Sequence, residues 1–416
     1  MTPELPHRRG GGGGRGHEYF VCRRLVELGH HVLNVSPALP SEIEYARDLR
    51  EVGVENWIAR RPASHLREAV EGVMREPEIL MTAAKAPVRA LEMRVFWIQL
   101  RRLVDRALRD WRPDVVVIVH GMAAAWADGL PQSVPAVLGL HDLQWHWYIS
   151  RAQRRRGPAA LVLRGEAERY RRHVLGLLPR YQAAIALSTI EADELRSTTR
   201  IPVSVIPVGV DTSTLRPAPE QEGPPRLVFT GTLGYPPNSQ GIRWFADHVW
   251  PQVRRALPDA QLDIVGRDPP HSVQRLDERE GITVVGPVRA MAPYFARAHA
   301  VVVPILTGAG IRVKVVEGMA AGRAIVSTSL GWEGLPHVQP GRHLLVADDP
   351  RDFAVAAIRL LQEPALRDKI ATDARLLAER RYDWRALGDE QESVLGTVAA
   401  RANRSAGQAS RAIPGT

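Results

Sequence analysis

The sequence predicts an α/β protein made of two doubly wound halves that face a cleft, and three observations lead to that prediction. The 416 residues exceed what one compact core usually holds, so two domains are expected. Short β-branched segments alternate with helical periodicity along the chain. Residues 216–225, which contain four prolines and a glycine, separate these segments into two groups and are typical of an interdomain linker.

Each half is predicted to contain a parallel sheet. A domain boundary near the start of the linker gives a first domain over residues 1–217 and a second over 218–381, and the small, polar residues 401–416 are expected to form a disordered tail. The predicted strands are residues 31–36, 114–119, 136–140, 183–188 and 203–208 in the first half, and 226–231, 261–266, 282–286, 300–304, 324–328 and 343–347 in the second.

The start of the chain departs from the doubly wound pattern. Such a domain opens with a buried strand that leads into a glycine-rich loop. Here only "MTPELPHRR" precedes the glycines, and "TPELP" is typical of the end of a strand. We therefore expect the first strand to be missing from the sequence, as a misassigned start codon would cause; the alternative is a domain that tolerates its loss.

Composition indicates a globular protein of the cytoplasm. The hydrophobic fraction is 45%, no apolar run is long enough to span a membrane, no secretory signal is present, and the single Cys22 excludes an internal disulfide framework. The net charge of +9 comes almost entirely from arginine, with lysine only at Lys85, Lys314 and Lys369. We expect no nucleic-acid partner, whereas anionic substrates and anionic lipid surfaces fit this charge.

The first candidate site is the glycine run from Gly10 to Gly14, which precedes a predicted helix. Glycines let backbone amides approach an anion at a helix N-terminus, where the dipole favours negative charge. Gly12, Gly13 and Gly14 are therefore candidate binding residues. A flexible turn with no ligand is the alternative.

The second candidate site follows the strand 136–140. His141 and Asp142 lie at the carboxyl edge of the predicted sheet, where open α/β sheets bind ligands. A histidine there can exchange a proton or bind a hydroxyl group, and the adjacent carboxylate can tune its pKa. His120, which follows the strand 114–119, is a second candidate of this kind. The alternative is a loop histidine without a task.

The third candidate site is the stretch "TGAGIRVKVVEGMAAGRAIVST", which predicts loop, helix, turn and strand in succession. Gly310 gives a ligand access to the backbone near a helix start. Arg312 and Lys314 add positive charge, and Glu317 offers a carboxylate that can accept two hydroxyl groups. In the alternative reading, the two cations are solvated helix residues and Glu317 is a surface charge.

At these residues the chain resembles the GT-B glycosyltransferases, specifically the retaining nucleotide-sugar enzymes of glycosyltransferase family four, over nearly its whole length. The resemblance rests on the glycine run, on "HD" at 141–142, on "PVGVD" at 207–211 and on "GIRVKVVEGMAAGRAIVS". The stretches "FTGTLGYPPNSQGIRWFADHVWP" and "GWEGL" are similar to a subgroup that builds bacterial surface polysaccharides.

The resemblance implies a donor site in the second domain. Glu317 corresponds to the second of two family glutamates and would hold the donor ribose, whereas the first would fall at Ala309 and lacks a carboxylate. Thr232 occupies the position of a family arginine, and Gln240 that of a family lysine. Arg312 and Lys314 would then replace the missing cations, and the backbone around Val288 would face the nucleotide base.

The resemblance also implies a mechanism. His141 would contact the transferred sugar and act as the catalytic residue, with retention at the anomeric carbon and a leaving phosphate that helps to deprotonate the acceptor. No cofactor and no metal ion are expected, because GT-B enzymes generally stabilise the leaving diphosphate with protein cations and helix dipoles. A last helix over residues 382–400 would return to the first domain.

The implied partners are a nucleotide-sugar donor and a glycan or lipid-linked acceptor. The basic segment 150–178 could lean on anionic lipid at the inner face of the cell membrane, or form an ordinary arginine-rich helix. Two other functions remain open: a catalytically silent GT-B protein that binds a nucleotide or partner, and a GT-B nucleotide-sugar epimerase.

Overall fold

The chain divides into two compact units. The first comprises Met1–Pro207 together with Leu387–Thr416, and the second is Val208–Ala386. The computed structural model describes residues 1–7, 14–60, 88–153, 155–219, 223–308 and 310–411.

The observed division corrects the predicted domain boundaries, because the first unit ends at Pro207 instead of residue 217 and resumes at Leu387 instead of 382. The backbone of residues 208–217 is bound within the second unit. Val210 donates a hydrogen bond to the Tyr382 carbonyl at 2.8 Å, and Arg375 donates to the Leu215 carbonyl at 2.6 Å. The predicted linker 216–225 therefore lies inside the second unit.

Parallel strands and helices build the first unit. Its strands are β1 (Leu33–Ala38), β2 (Glu55–Arg60), β3 (Val116–Val119), β4 (Ala136–Leu140), β5 (Ala183–Ala186) and β6 (Val203–Val205). Its described helices before the second unit are α1 (Gly14–Glu27), α2 (Ala46–Glu51), α3 (Val88–Asp110), α4 (Gln144–Gln153), α5 (Pro158–Leu177) and α6 (Thr189–Thr198).

The strands of the first unit form two parallel sheets, one with the order β3-β4-β5-β6 and one of β1 and β2. The sequence analysis predicts five of these strands and misses β2. That strand pairs on one side only, and its end residues Glu55 and Arg60 are exposed. The polar residues Glu55, Asn56 and Arg60 leave β2 without the apolar run from which the other strands were predicted.

The first two residues of the chain lie between the two sheets of the first unit. The Met1 amino group donates to the Val117 carbonyl at 2.5 Å, and the Val119 amide donates to the Met1 carbonyl at 3.0 Å. The Thr2 amide donates to the Val35 carbonyl at 3.2 Å. Met1 and Thr2 thus bond to both β3 and β1, as a short strand between them would.

A cavity of about 900 Å³ lies beside Met1. Its walls include the residues that lead into β1 and β3, and its apolar lining includes Val21 and Leu25 of α1 and Val104 of α3. Helices therefore cover a space between two strand edges. This is the surrounding that a central strand of a parallel sheet requires.

The second unit repeats the βα pattern with shorter helices. Its strands are β7 (Arg226–Thr230), β8 (Gln261–Val265), β9 (Ile282–Gly286), β10 (Ala300–Val303), β11 (Ala324–Ser327) and β12 (Leu345–Val346). Its helices are α7 (Pro236–Trp244), α8 (Trp250–Ala256), α9 (His271–Gln274), α10 (Ala292–Arg297), α11 (Val313–Ala320), α12 (Ser329–Trp332), α13 (Pro350–Gln362) and α14 (Pro364–Arg381).

The six strands of the second unit form one parallel sheet with the order β12-β11-β10-β7-β8-β9. Apolar clusters cover both faces: Phe229 and Val302 belong to one, and Val228 and Val301 to the other. The strand order reverses between β7 and β10. Open α/β sheets bind ligands at such a reversal, outside the carboxyl ends of the strands.

The last helix, α15 (Trp384–Arg411), is longer than predicted. The sequence analysis ends it at 400 and expects disorder from 401, but residues 401–411 continue the helix. This stretch contains alanine, arginine and glutamine, which favour helix, and extending an existing helix costs far less than starting one. Residues 412–416 lie outside the described chain.

No helix within the described ranges has both the length and the apolar character needed to cross a bilayer.

Candidate functional site

The candidate site of the second unit lies where the strand order reverses. β7 ends at Thr230 and leads through a short loop into α7, while the neighbouring β10 ends at Val303 and leads into α11. Both loops leave the same edge of the sheet. Residues 310–317, chosen from sequence alone, therefore follow a strand that pairs with β7, and the loop after β7 contains Thr232.

Lys314 is the buried centre of this site. Its Nζ donates a hydrogen bond to Asn238 Oδ1 at 2.8 Å and lies 3.9 Å from the centre of the Phe229 ring. A Cβ atom added to Gly231 would lie 3.1 Å from Nζ and 2.8 Å from Asn238 Nδ2. The backbone of the β7 loop thus passes directly over the lysine and its amide partner, a close approach that glycine permits.

Burial lowers the pKa of Lys314 well below its ordinary value, with a further lowering by Arg312 and an opposing effect of Glu317. Removing an ammonium group from water disfavours its charged form unless an anion compensates it. The amide and the ring near Nζ carry no net charge. A bound anion would therefore restore the charge of this lysine.

Arg312 and Glu317 flank the lysine in sequence. Arg312 precedes the first residue of α11 and is 8% exposed; burial lowers its pKa, while Tyr235 and Glu333 raise it. Glu317 is half-buried one turn beyond Lys314, and burial raises the pKa of its carboxyl group while Lys314 lowers it. Two desolvated basic side chains and one carboxyl group therefore lie within residues 312–317.

Glycines shape the loop before α11. Gly308 and Gly310 have φ values of +102° and +83°, which other residues rarely adopt. A Cβ atom on Gly308 would lie 2.9 Å from Pro237 and 3.3 Å from Arg312, whereas one on Gly310 would meet nothing within 4 Å. Ala309, at which the resemblance places a missing carboxylate, lies outside the described residues.

Thr232 contributes its backbone to the site. Its carbonyl accepts a hydrogen bond from Asn238 Nδ2 at 2.8 Å, and its hydroxyl accepts one from Arg267 at 3.3 Å. The Thr307 hydroxyl donates a hydrogen bond to the side-chain oxygen of Gln240 at 3.1 Å, which links the loop after β10 to α7. These contacts fix the loop that passes over Lys314.

Val288 lies farther from this centre. It follows β9, and β8 separates β9 from β7 in the sheet. Its partly buried side chain packs with the apolar cluster that contains Val301. The structure places it at the carboxyl end of β9, and its role toward a base stays a prediction.

The sequence analysis missed Asn238. This residue is 8% exposed and uses its amide group both to accept from Lys314 and to donate to the Thr232 carbonyl. An asparagine in the first turn of a helix that follows a loop after a strand is the signal that could have identified it.

The candidate site of the first unit gathers three histidines. His141 follows β4 and His120 follows the neighbouring β3, and their ring centres are 4.2 Å apart. His17, from the first turn of α1, has its ring centre 5.4 Å from that of His141. His120 has a φ of +72°, an uncommon value for a residue other than glycine and one that often accompanies functional sites.

Glu18 is the direct partner of His141. Its Oε1 lies 2.7 Å from His141 Nε2, and the side chains are 11% and 8% exposed, respectively. The sequence analysis assigned the tuning of His141 to the adjacent Asp142. The carboxylate that is hydrogen-bonded to His141 is that of Glu18 in α1, and the influence of Asp142 stays a prediction.

Burial lowers the pKa values of His17, His120 and His141 to about 4 and raises the pKa of Glu18. All three imidazoles are therefore neutral near pH 7. Ligand atoms of His17, Glu18 and His141 lie within 4.8 Å of one another, and neutral imidazole with carboxylate is a donor set that Zn²⁺ accepts. The expectation of a site without metal stays a prediction.

Gly14 begins α1, the helix that supplies His17 and Glu18. Gly12 and Gly13, the other two glycines predicted to bind an anion, lie outside the described residues. The glycine run thus leads into the helix whose first turn reaches His141, and its binding role stays a prediction.

Two glutamates hold the loop that follows β4. Glu191 accepts a hydrogen bond from the Leu143 amide at 3.0 Å, and Glu194 accepts from Trp145 at 2.9 Å. Both glutamates belong to α6. Glu18 of α1 thus contacts His141 itself, and α6 holds the residues that follow His141.

The described residues of the basic segment 150–178 include the end of α4 and all of α5. Leu161 and Val162, in the first turn of α5, are each 68% exposed, and Arg164 follows them. This combination of exposed aliphatic and basic groups is compatible with a membrane surface.

Two family models match the chain. The model described as "Glycosyltransferase Family 4" matches residues 11–214, and the model described as "Glycosyl transferases group 1" matches residues 224–363. The first match includes His17, Glu18 and His141, and the second includes Asn238 and Lys314.

Curated relatives match part of the chain. A phosphatidyl-myo-inositol mannosyltransferase from Mycobacterium leprae is 31% identical over 204 residues, which are 47% of this chain and 53% of that protein. An uncharacterized 44.6 kDa protein in the cps region of Klebsiella pneumoniae is 28% identical over 165 residues, which are 38% and 42% of the two chains. The chain spans about half the length of the curated relatives it matches.

Solved structures match nearly the whole chain. Sucrose-phosphate synthase from Thermosynechococcus elongatus has a TM-score of 0.66 at 17% identity and covers 95% of this chain and 96% of its own. Anabaena HepE in complex with UDP and glucose has a TM-score of 0.62 at 14% identity, with 95% and 99% covered. At such identities the similarity concerns the fold alone, and it confirms the predicted fold class.

Proposed function

The chain belongs to the GT-B glycosyltransferases, with a family 4 domain followed by a group 1 domain, and from that premise we propose that it is a retaining enzyme of bacterial surface polysaccharide synthesis. It transfers a sugar from a nucleoside diphosphate sugar to a glycan or lipid-linked acceptor. It does so without a metal ion or cofactor. The observation that carries this proposal is Lys314 at the reversal of the strand order, because this lysine is buried and its Nζ contacts an uncharged amide and an uncharged ring.

Lys314 and Arg312 bind the donor diphosphate in this proposal. A diphosphate that enters over Gly231 meets the lysine and recovers the charge that burial suppresses. Hydrogen bonds from charged donors to phosphate oxygens are about twice as strong as neutral ones. Because negative charge grows on the leaving diphosphate during transfer, the same two cations stabilise the transition state.

Glu317 holds the donor ribose, because a carboxylate one turn beyond Lys314 can accept both ribose hydroxyl groups. Transfer proceeds on the face of the sugar from which the diphosphate leaves. A leaving phosphate oxygen accepts the proton of the acceptor hydroxyl, and His141 binds the transferred sugar. No protein nucleophile is required by this mechanism.

The names of the relatives support a lipid-linked or capsular acceptor. One is named as a phosphatidyl-myo-inositol mannosyltransferase and one is encoded in a cps region. The exposed Leu161 and Val162, with the arginines around them, would hold the enzyme at an anionic membrane surface where such an acceptor lies.

Donor binding tests the proposal directly. Isothermal titration with UDP, GDP, ADP and dTDP is expected to reveal one preferred nucleotide, and Lys314→Met is expected to weaken its binding about 10- to 100-fold by removing a charged donor. Lys369→Met is the matched control, because that lysine is exposed on α14. Equal affinity of both variants and the native chain would refute the site.

Product analysis then separates transfer from the other two functions. With the preferred nucleotide sugar and a lipid extract as acceptor, a transferase releases nucleoside diphosphate and forms a sugar conjugate. An epimerase changes the sugar without a conjugate. Nucleotide binding without either product would identify a silent binding protein.

A further inference from the structure

The geometry assigns Glu18 as the positioning residue of His141, and this assignment rests on the proposed function. Glu18 fixes the orientation and the tautomer of the imidazole, so that the ring presents Nδ1 as a hydrogen-bond acceptor to a hydroxyl group of the transferred sugar. Glu18 itself does not touch the substrate.

The contact between the two side chains is short and shielded from water. Glu18 Oε1 and His141 Nε2 are 2.7 Å apart, and both side chains are about nine-tenths buried. When Glu18 is ionised, its carboxylate only accepts, so it pairs with the form of the ring that has its proton on Nε2. A neutral imidazole carries one N–H, and Nδ1 therefore keeps its lone pair.

The other ring nitrogen of His141 supports the assignment. Nδ1 is buried and has no hydrogen-bond partner in the part of the chain that the structure describes. A buried acceptor without a partner is costly, and a substrate hydroxyl that donates to it removes the cost. Glu18 thus orients the ring, and Nδ1 remains for the ligand.

The groups around the pair keep the imidazole neutral. His17 of α1 and His120 after β3 have rings next to His141, and Glu4 and Asp142 also act electrostatically on the cluster. Burial is the largest of these influences on His141 and favours the uncharged ring. A protonated ring would donate from both nitrogens and could not accept from a sugar hydroxyl.

Glu18 reaches His141 because α1 begins close to the end of β4. His141 lies at the carboxyl end of β4, and α1 begins at Gly14, so the side chain of a residue one turn into that helix reaches the ring. Glu27, near the other end of α1, forms surface ion pairs with Arg23 and Arg24 instead. These two glutamates on one helix form a matched pair for experiment.

The test compares Glu18→Ala, Glu18→Gln and Glu27→Gln in the full chain. Loss of a charge-assisted hydrogen bond is expected to lower kcat in Glu18→Ala about 10- to 100-fold. The donor affinity should change less than about twofold, because the diphosphate is bound by other residues. Glu18→Gln, whose amide oxygen still accepts from Nε2, is expected to recover most of kcat, and Glu27→Gln should match the native chain.

A spectroscopic readout tests the assignment independently of activity. With ¹⁵N-labelled histidine and His141→Gln to identify the signals, the His141 ring is expected to show the Nε2–H tautomer in the native chain and in Glu18→Gln. In Glu18→Ala the signals should shift toward a mixture of tautomers. An unchanged tautomer, or equal loss of kcat and donor affinity in Glu18→Ala, would overturn the assignment.

The two proposals fail in different ways. If the native chain transfers no sugar, the proposed function fails. The role of Glu18 toward a transferred sugar then fails with it, even if the tautomer of His141 responds to Glu18→Ala. If the native chain transfers sugar and Glu18→Ala is as active as Glu27→Gln, only the role of Glu18 is refuted.

Discussion

The two units of this protein differ in how completely their parallel strands are paired. In the second unit, six strands form one continuous sheet, and apolar clusters cover both faces. In the first unit, the strands form a four-stranded and a two-stranded sheet, and Met1 and Thr2 bond to both across a cavity of about 900 Å³. The two units have the same kind of fold, but the strands that carry the second candidate site are more completely paired than those that carry the first.

This difference in strand pairing affects how firmly the residues of each candidate site are held in place. Lys314 and Asn238 meet over the two central strands of a fully paired sheet, so the loops around them are anchored at both ends. His141 follows β4, which is paired on both sides, but its partner Glu18 comes from α1, which also forms a wall of the cavity. Looser packing next to Glu18 should therefore affect the first site more than the second.

The largest effect is expected from Gly241→Ala in the second unit. A Cβ atom at this position would lie 1.9 Å from the Pro304 carbonyl oxygen, because α7 packs directly on the loop after β10. The clash is with backbone, so it cannot be relieved by a side-chain rotation. We expect a loss of about 4 kcal/mol or more in the free energy of unfolding, measured by urea denaturation, together with loss of donor binding.

Gly176→Ala is the matched control for this substitution. Gly176 lies in α5 of the first unit, is exposed, and would place its new Cβ within 4 Å of nothing. Replacing glycine by alanine inside a helix stabilises by about 0.5–1 kcal/mol. A Gly241→Ala chain as stable as Gly176→Ala would contradict the close packing of α7 on the β10 loop.

The strands were predictable because their signal is local. Residues 136–140 and 282–286 were predicted with the bounds that β4 and β9 have, since a buried parallel strand is a short apolar run. β2 was not predicted, because Glu55, Asn56 and Arg60 leave its six residues without such a run. The last helix was ended too early, since the composition of 401–411 resembles a tail although helix propagation carries it to Arg411.

The contacts within the candidate sites were not predictable, because their partners are distant in the sequence. Arg312, Lys314 and Glu317 were identified from one helix start, but Asn238 lies 76 positions before Lys314. Glu18 lies 123 positions before His141, whereas the sequence suggested the neighbouring Asp142. Local periodicity assigns a residue to a sheet edge, and only the packing of the elements selects its partner.

The second prediction concerns acid stability, which should differ between the units. The folded-state pKa values of His17 and His141 are about 4, below the ordinary value of 6.5, so the unfolded chain binds more protons between these values. The first unit should therefore lose stability as pH falls from about 6.5 to 4, by about 3 kcal/mol for one such imidazole. The raised pKa of Glu18 acts in the opposite direction.

Hydrogen exchange at pH 7 and pH 5 measures this prediction for each unit. Amides of β4 and β5 are expected to lose protection at pH 5 more than amides of β10 and β11. His17→Gln should reduce the loss because it removes one titrating group, and His30→Gln, at a half-exposed histidine, should not. Equal loss of protection in both units would show that the buried imidazoles do not control acid stability.

The smallest expected effect tests whether the cavity weakens the first unit. Met1 and Thr2 already bond to β1 and β3, so four apolar, β-branched residues engineered before Met1 would extend the same strand into the cavity. Apolar burial outweighs the ordering of these residues by about 1–2 kcal/mol, which should appear as a higher midpoint of thermal unfolding. An extension of four glycine and serine residues supplies backbone without apolar surface and should give no gain. If both extensions leave the midpoint and the exchange of β3 amides unchanged, the unpaired edges are not what separates the first unit from the second.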